Sequence, residues 1–256
     1  MKGVILAGGL GSRLNPLTRV TNKHLLPVYD RPMVYYPIQT LLNAAIDEVL
    51  IVTGGEHAGD FLKLLGNGKR LGLRELNYTY QEGEGGIADA LLLAEDFAEG
   101  EKVCMVLGDN IIERNIRAAV GDFSTQPSGA KILLKEVDQP ERFGVPRFED
   151  DRIVEIIEKP AKPPSRWAVI GIYMFDADVF DIARTLKPSN RGELEITDVN
   201  NAYIKRGDLT SHVLEGWWAD AGTFESLHRA GCLVIETGAN NVDEPAGPRV
   251  AAATSR

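Results

Sequence analysis

Residues 1–27 read MKGVILAGGLGSRLNPLTRVTNKHLLP. Val4, Ile5, Leu6 and Ala7 make a short apolar run between glycines, the mark of a strand buried on both faces. Gly8, Gly9 and Gly11 follow at once, then Ser12 and Arg13, with Lys23 ten residues further on. Glycine reaches positive φ without a Cβ clash, so such a loop can turn several N–H groups toward one anion. Arg13 and Lys23 bring full positive charges to the same neighbourhood. Two readings stand side by side: a cradle for a polyphosphate, or a tight strand-to-helix turn with ordinary surface cations. Spacing excludes the two better-known phosphate loops. From Gly9 the sixth place of a dinucleotide fingerprint is Leu14, from Gly8 the third is Leu10, and no Gly-Lys-Ser/Thr follows a four-residue gap.

Outward from this loop, strand-like and helix-like segments alternate. Residues 33–46 carry a helical apolar spacing, with Pro37 limiting the first turn. Residues 48–53, 76–80 and 102–107 read as strands, and 60–65 and 87–97 as helices. Short loops between alternating elements imply right-handed crossovers and a mostly parallel sheet covered on both faces. Ligands of such sheets bind beyond the carboxyl ends of the strands. Three loops leave those ends, 8–13, 81–86 and 108–110, and they are expected to converge. The second half changes character. Residues 130–137, 145–148, 152–158, 167–175 and 209–214 are strand-like, around a Pro-rich EKPAKPPS loop. Helices are expected at 176–185, with Asp176 as N-cap, and at 194–205 and 223–236. Residues 237–256 are small, polar and unpatterned, and read as a mobile tail.

Composition bounds the function. A chain of 256 residues is long enough for one large α/β domain or two small ones, and 44% hydrophobic and 25% charged residues are ordinary for a soluble globular protein. A net charge of −9 argues against general nucleic-acid binding, yet a few cations focused in a cleft still attract small anions. Cys104 and Cys232 lie far apart without metal-type spacing, so free thiols in a reducing compartment are expected. No signal peptide or membrane span is legible, and a cytoplasmic protein without membrane or nucleic-acid partners is expected. Asp109 follows the 102–107 strand where phosphates would gather, and reads either as a Mg²⁺ ligand or as a helix N-cap.

LAGGLGSRL followed by NKHLLPVYDRPM resembles the signature of the sugar-1-phosphate nucleotidylyltransferases, most closely the glucose-1-phosphate thymidylyltransferases. The resemblance covers roughly residues 1 to 235 and recurs in LGDN, EKP, RGELEITD and the Trp218-Ala219-Asp220-Ala221-Gly222 segment. It implies a Rossmann-like three-layer α/β fold, a mostly parallel central sheet carrying an added mixed sugar-binding subregion. One domain is then expected over residues 1–236, with a nucleotide part at about 1–128, a sugar part at about 129–222 and a closing helix at about 223–236.

The resemblance also assigns roles. Arg13, Lys23 and Lys159 are implied as catalytic cations, with no covalent intermediate. Leu6, Ala7, Gly8, Gly9, Gly11, Ser12, Gln81, Gly86 and Asp109 are implied at the nucleotide. A glutamine amide both donates and accepts, which matches the imide edge of thymine or uracil. Gly144, Glu158, Lys159, Val169, Gly171, Tyr173 and Arg191 are implied at the sugar phosphate, and Asp109 with Asp220 at Mg²⁺. Glu193 and Glu195 read more simply as first-turn helix carboxylates. Three positions depart from the longer thymidylyltransferases: His24 for a frequent glutamine, Phe143 for tyrosine and Ala221 for threonine. His24 reads as a polar pocket wall and not a proton shuttle. Expected substrates are dTTP, or UTP, and glucose 1-phosphate, in a homo-oligomer. A second nucleotide-sugar site, built in the longer enzymes by a further helical segment, is expected to be missing. The contrasting reading, a non-catalytic regulatory subunit on the same fold, is disfavoured because the cations and both aspartates are present.

Overall fold

The computed structural model describes residues 1–242. The chain runs β1 (Lys2–Ala7), β2 (Pro27–Val28), β3 (Arg31–Pro32), α1 (Tyr35–Asn43), β4 (Glu48–Gly54), α2 (Ala58–Leu65), β5 (Glu75–Gln81), α3 (Ile87–Leu92), α4 (Glu95–Ala98) and β6 (Val103–Leu107). It continues with β7 (Asn110–Ile112), α5 (Arg117–Thr125), β8 (Ala130–Glu136), β9 (Gly144–Glu149), β10 (Arg152–Glu158), β11 (Trp167–Phe175), α6 (Asp178–Thr185), α7 (Ile196–Arg206), β12 (Leu209–Val213), β13 (Trp218–Asp220) and α8 (Phe224–Thr237).

All six residues of β1 are buried, because the strand lies inside a nine-stranded sheet with parallel neighbours on both sides, β4 and β6. Alternation along β1 sorts its side chains into two cores. Val4 and Leu6 pack with Ala88, Leu91, Phe180 and Val199 under α3, α6 and α7, while Ile5 and Ala7 pack with Ile38, Leu41, Phe61 and Phe123 under α1, α2 and α5. Two apolar clusters separated by one sheet make the three layers expected of buried parallel strands. β5 extends the parallel part beyond β4. On the other side β11 runs antiparallel to β6 and forks, pairing with β8 along its length and with β9 at Val169 opposite Gly144. The second half is therefore a mixed extension of the same sheet.

Most expected segments appear, with three differences. The 87–97 segment is broken into α3 and α4. Asp176 caps α6 as expected, although the helix itself begins at Asp178: the Asp176 carboxylate accepts from Asp178 N at 3.2 Å, and it also accepts from Tyr203 Oη at 2.6 Å and from Gly129 N. The short strands β2, β3, β7 and β13, and helix α5, have no counterpart in the sequence reading. Residues 237–242 are not a loose tail. Thr237 ends α8, and the buried Asn240 side chain accepts from Thr40 Oγ1 at 2.7 Å and donates to Tyr36 O at 3.0 Å. Its N–H donates to Ile112 O at 2.8 Å, so this segment is tied to α1 and to β7. The remainder of the expected tail, 243–256, lies outside the described residues. Among the described residues no helix is long and apolar enough to cross a membrane, and Cys104 and Cys232 are free.

Candidate active site

The chain leaves β1 through Gly8, Gly9, Leu10 and Gly11. Gly11 takes φ 66°, and a Cβ there would stand 2.9 Å from Lys23 Cβ, so the loop and the lysine approach this closely only with glycine at 11. The N–H groups of Gly9, Leu10 and Gly11 have no acceptor among the described residues. Asn22 braces the loop from beneath: its Nδ2 donates to Ala7 O at 3.2 Å, and its Oδ1 accepts from His24 N at 2.9 Å. Burial, aided by the Lys23 charge, lowers His24 to a pKa of about 3, so the imidazole is neutral. Its ring packs against Gly108, where a Cβ would come within 2.6 Å. That neutrality fits a wall residue.

Lys23 Nζ lies 2.6 Å from Asp109 Oδ2, and both side chains are largely buried. Lys23 is thus paired in the protein alone, not one of a set of uncompensated cations. Burial raises the Asp109 pKa, but Lys23, His24 and the hydrogen bond from Asn110 together outweigh it and hold the carboxyl below the ordinary range. Asp109 and Asn110 lead into β7, which pairs with β13 in the register Asp220 opposite Asn110. Ala221 N donates to Asp109 O at 2.8 Å, closing the same turn. Two short strands therefore set both aspartates beside one another. Asp220 is shifted the opposite way: burial and the neighbouring Asp109 charge raise its pKa against the pull of Arg142, whose Nη2 lies 3.3 Å from Oδ2. Among the described residues no cluster of three or more acidic, His or Cys ligands forms. Two hard carboxylate oxygens, one of them reluctant to carry its charge alone, fit Mg²⁺, which takes few protein ligands and leaves places for substrate oxygens and water.

Two connected cavities meet at Lys23 and Asp109. The smaller, about 240 Å³, is bordered by Leu6, Gly8, Gly9, Gln81 and Gly86. Gln81 Nε2 donates to Gly86 O at 3.1 Å and to Asp89 Oδ2 at 2.8 Å, which leaves Oε1 as the group it can offer. The amide is therefore committed as an acceptor. The larger cavity, about 650 Å³, is bordered by Gly11, Ser12, Arg13, Gly144, Glu158, Lys159, Val169, Gly171, Tyr173, Arg191 and Asp220. Of the residues expected at the nucleotide only Ala7 borders neither cavity; it is wholly buried beneath the loop.

The larger cavity is strongly charged. Arg13 makes no ion pair among the described residues and lies against Gly222, where a Cβ would stand 3.1 Å from its Nη2. Lys159 adopts φ 43°, rare for a residue with a Cβ, and its N–H donates to Phe143 O at 2.9 Å. Such backbone strain clusters where geometry serves a ligand. Glu158 Oε2 accepts from Thr197 Oγ1 at 2.6 Å, and Oε1 lies 3.5 Å from both Lys159 Nζ and Arg191 Nη2. Glu193 and Glu195 are not merely first-turn carboxylates. Glu193 precedes α7 and lies 3.4 Å from Arg191, while Glu195 grips Arg191 with both oxygens, at 2.9 and 2.8 Å. Gly171 is required by crowding, since a Cβ would lie 2.6 Å from Asn110 Nδ2. Phe143 meets Trp218 edge-on at 5.2 Å and carries the Arg142 guanidinium over its face, so its ring is a packing element. Asn110, Arg142, Thr197, Asn200 and Trp218 also border the cavity and went unread as site residues. The signal for Asn200 was present: it falls on the apolar stripe of Ile196, Val199 and Tyr203 in a helix, an odd place for a polar side chain.

The chain is similar to known proteins in sequence and in fold. The family model described as nucleotidyl transferase matches residues 2–237. A glucose-1-phosphate thymidylyltransferase of Neisseria meningitidis is 44% identical over 238 residues, 91% of this chain and 82% of that protein. The crystal structure of a Bacillus anthracis protein, provisionally named glucose-1-phosphate thymidylyltransferase and crystallised with sucrose, superposes with TM-score 0.88 at 52% identity. It covers 92% of this chain and 96% of that one. A UDP-glucose pyrophosphorylase structure, 24% identical with TM-score 0.79 over 91% of this chain and 98% of its own, shares the fold. With likeness running from β1 to the end of α8, the chain belongs to the nucleotidyl transferase family.

Proposed function

We propose that this protein transfers a thymidylyl group from dTTP to α-D-glucose 1-phosphate, releasing pyrophosphate and giving dTDP-glucose. The observation that carries the reading is the junction of the two cavities at Lys23 and Asp109. A base seated against Gln81 would place its phosphates on the open amides of the glycine loop, and a sugar phosphate seated between Glu158 and Arg191 would enter the same junction. Names borne by relatives at 44% identity over 91% of the chain support these substrates.

The sugar phosphate oxygen attacks the α-phosphorus in line, and pyrophosphate departs. A phosphate monoester is already a nucleophile, so no base is needed, in keeping with a neutral His24. Two polyanions must approach, and the protein answers with cations: Lys23 and Lys159 at the reacting phosphates, Arg13 at the leaving pyrophosphate and Arg191 at the sugar phosphate. Lys23 must leave Asp109 to do this. Bound by Asp109 and Asp220, Mg²⁺ would supply charge neutralisation at the phosphate oxygens. A homo-oligomer is part of the same reading, by likeness to the family. Pyrophosphate release over a matrix of dTTP, UTP, CTP, ATP and GTP against several hexose 1-phosphates, with and without Mg²⁺, tests it. The expected optimum is dTTP with glucose 1-phosphate. No release from any pair would leave the regulatory-subunit reading in its place.

A further inference from the structure

We infer that Asn200 reads hydroxyl groups of the hexose ring and so helps set which sugar phosphate is accepted, an inference that rests on the glucose 1-phosphate reading above. Helix α7 carries two adjacent asparagines with opposite fates. Asn201 is satisfied at both ends, its Oδ1 accepting from Ile156 N and its Nδ2 donating to Ile156 O, each at 2.8 Å. Asn200 is 1% exposed, and neither its Oδ1 nor its Nδ2 has a partner. Among the described residues these are the only buried side-chain nitrogen and oxygen atoms left so.

An orphaned buried amide destabilises the free protein, and native structures hold few of them. A leucine here would match its size and complete the apolar stripe of Ile196, Val199 and Tyr203. The amide therefore calls for a partner that arrives from outside. Asn200 borders the cavity that also holds Thr197, Tyr173 and Glu158. The chemistry of the missing partner follows from the donor and acceptor count. Oδ1 requires a donor and Nδ2 an acceptor, and a phosphate, which only accepts, would leave Oδ1 unmet. A hydroxyl does both, and two neighbouring ring hydroxyls satisfy the whole amide. Glu158, an acceptor already engaged by Thr197, cannot supply the N–H donor that Asn200 brings.

The test crosses the protein with the sugar. Rates of pyrophosphate release are measured for glucose 1-phosphate and its 2-, 3-, 4- and 6-deoxy analogues, in the native chain and in Asn200→Leu, beside thermal unfolding of the ligand-free proteins. Expected are a higher melting temperature for Asn200→Leu, an unchanged KM for the nucleotide and a loss of about tenfold or more in kcat/KM for glucose 1-phosphate. One or two neighbouring deoxy analogues should lose nothing further in the variant, because the contact is already gone. An equal loss for every analogue together with a lower melting temperature would overturn the inference and give Asn200 a structural or water-bridging role. Should Asn200→Leu not fold, Asn200→Ala completes the same cycle. Absence of turnover in the native chain with every sugar phosphate would overturn the parent reading, and this one with it, before any variant is made.

Discussion

Lys23 sits 2.6 Å from Asp109 in the protein alone, so its loss has two consequences that separate in experiment. Lys23→Ala should lower turnover by about two orders of magnitude or more, the scale of a lost contact worth ~2.7–4 kcal/mol in the transition state. It should also lower stability by about 1–3 kcal/mol or more, because Asp109 stays buried without its cation. Turnover and denaturant unfolding measured on the same preparation decide both; near-normal turnover would remove Lys23 from the machinery. Asp220 behaves oppositely. Its pKa is raised above the ordinary 3.8, first by burial, so the charged form is the costly one. Asp220→Asn should therefore melt higher than the native chain at neutral pH without metal. That gain should shrink as the pH falls below the raised folded value, where the native carboxyl takes up its proton, and be gone below the ordinary 3.8. Asp109, with its depressed pKa, contributes stability above the ordinary carboxylate range and loses it only at lower pH. Mg²⁺ should raise the melting temperature of the native protein and do so far less for Asp220→Asn. A metal-free variant that melts lower than the native chain at pH 7 would contradict the argument.

Between elements, the decisive join is the pairing of β7 with β13, three residues each, which faces Asp220 toward Asn110. β7 is held on its far side by the segment after α8. Asn240 N donates to Ile112 O at 2.8 Å and Asn241 N to Glu113 O at 2.7 Å, while Asn43 Nδ2 and Thr40 Oγ1, both of α1, each reach Asn240 at 2.7 Å. Cutting the chain after residue 239 removes these bonds and leaves the Asn43 amide short of a partner. The truncated protein should lose about 1–3 kcal/mol per buried group left unmet, and should need more Mg²⁺ for half-maximal rate as β7 loosens. Chemical denaturation with a Mg²⁺ titration checks this. Full stability in the truncated chain would return residues 240–242 to the role of a passive tail.

At the scale of the whole molecule, a protein of net charge −9 directs its cations inward at the carboxyl ends of β1, β6 and their neighbours. Under the proposed function the smaller cavity would set the choice of base. Both Nε2 hydrogens of Gln81 are engaged, so Oε1 is the group left to meet a base, and it would suit the N3–H of thymine or uracil. Cytosine presents an acceptor at N3. CTP should therefore fall below UTP in kcat/KM by about two orders of magnitude or more, since a site built for a hydrogen bond rejects an analogue lacking it. UTP differs from dTTP by a methyl and a 2′-hydroxyl, and dUTP, which lacks only the methyl, should fall below dTTP by ~1–3 kcal/mol. Competition assays with the four nucleotides read both ratios, and CTP turning over as well as UTP would remove Gln81 as the base reader.

Much of this was legible in the chain itself. Val4 to Ala7 read as a buried strand, and regular alternation with helices implied a mostly parallel sheet, hence the edge where the loops meet. The glycine spacing, LGDN, EKP and RGELEITD marked the charged residues that border the cavities. Local sequence carries such features because burial and turn geometry act on neighbouring residues. Other features depend on contacts made far along the chain. Strands of three residues have no readable period, so the ladder that sets Asp220 opposite Asn110, next to Asp109, exists only once β6 and α8 have placed its two sides. The docking of Asn240 depends on partners about 200 residues away in sequence. Lys23 is identifiable as a cation from its neighbours, but its engagement with Asp109 is decided across 86 residues. The same holds for Asn200: sequence places an amide on the stripe of a helix, and only the packed structure leaves both of its ends unmet beside an open cavity.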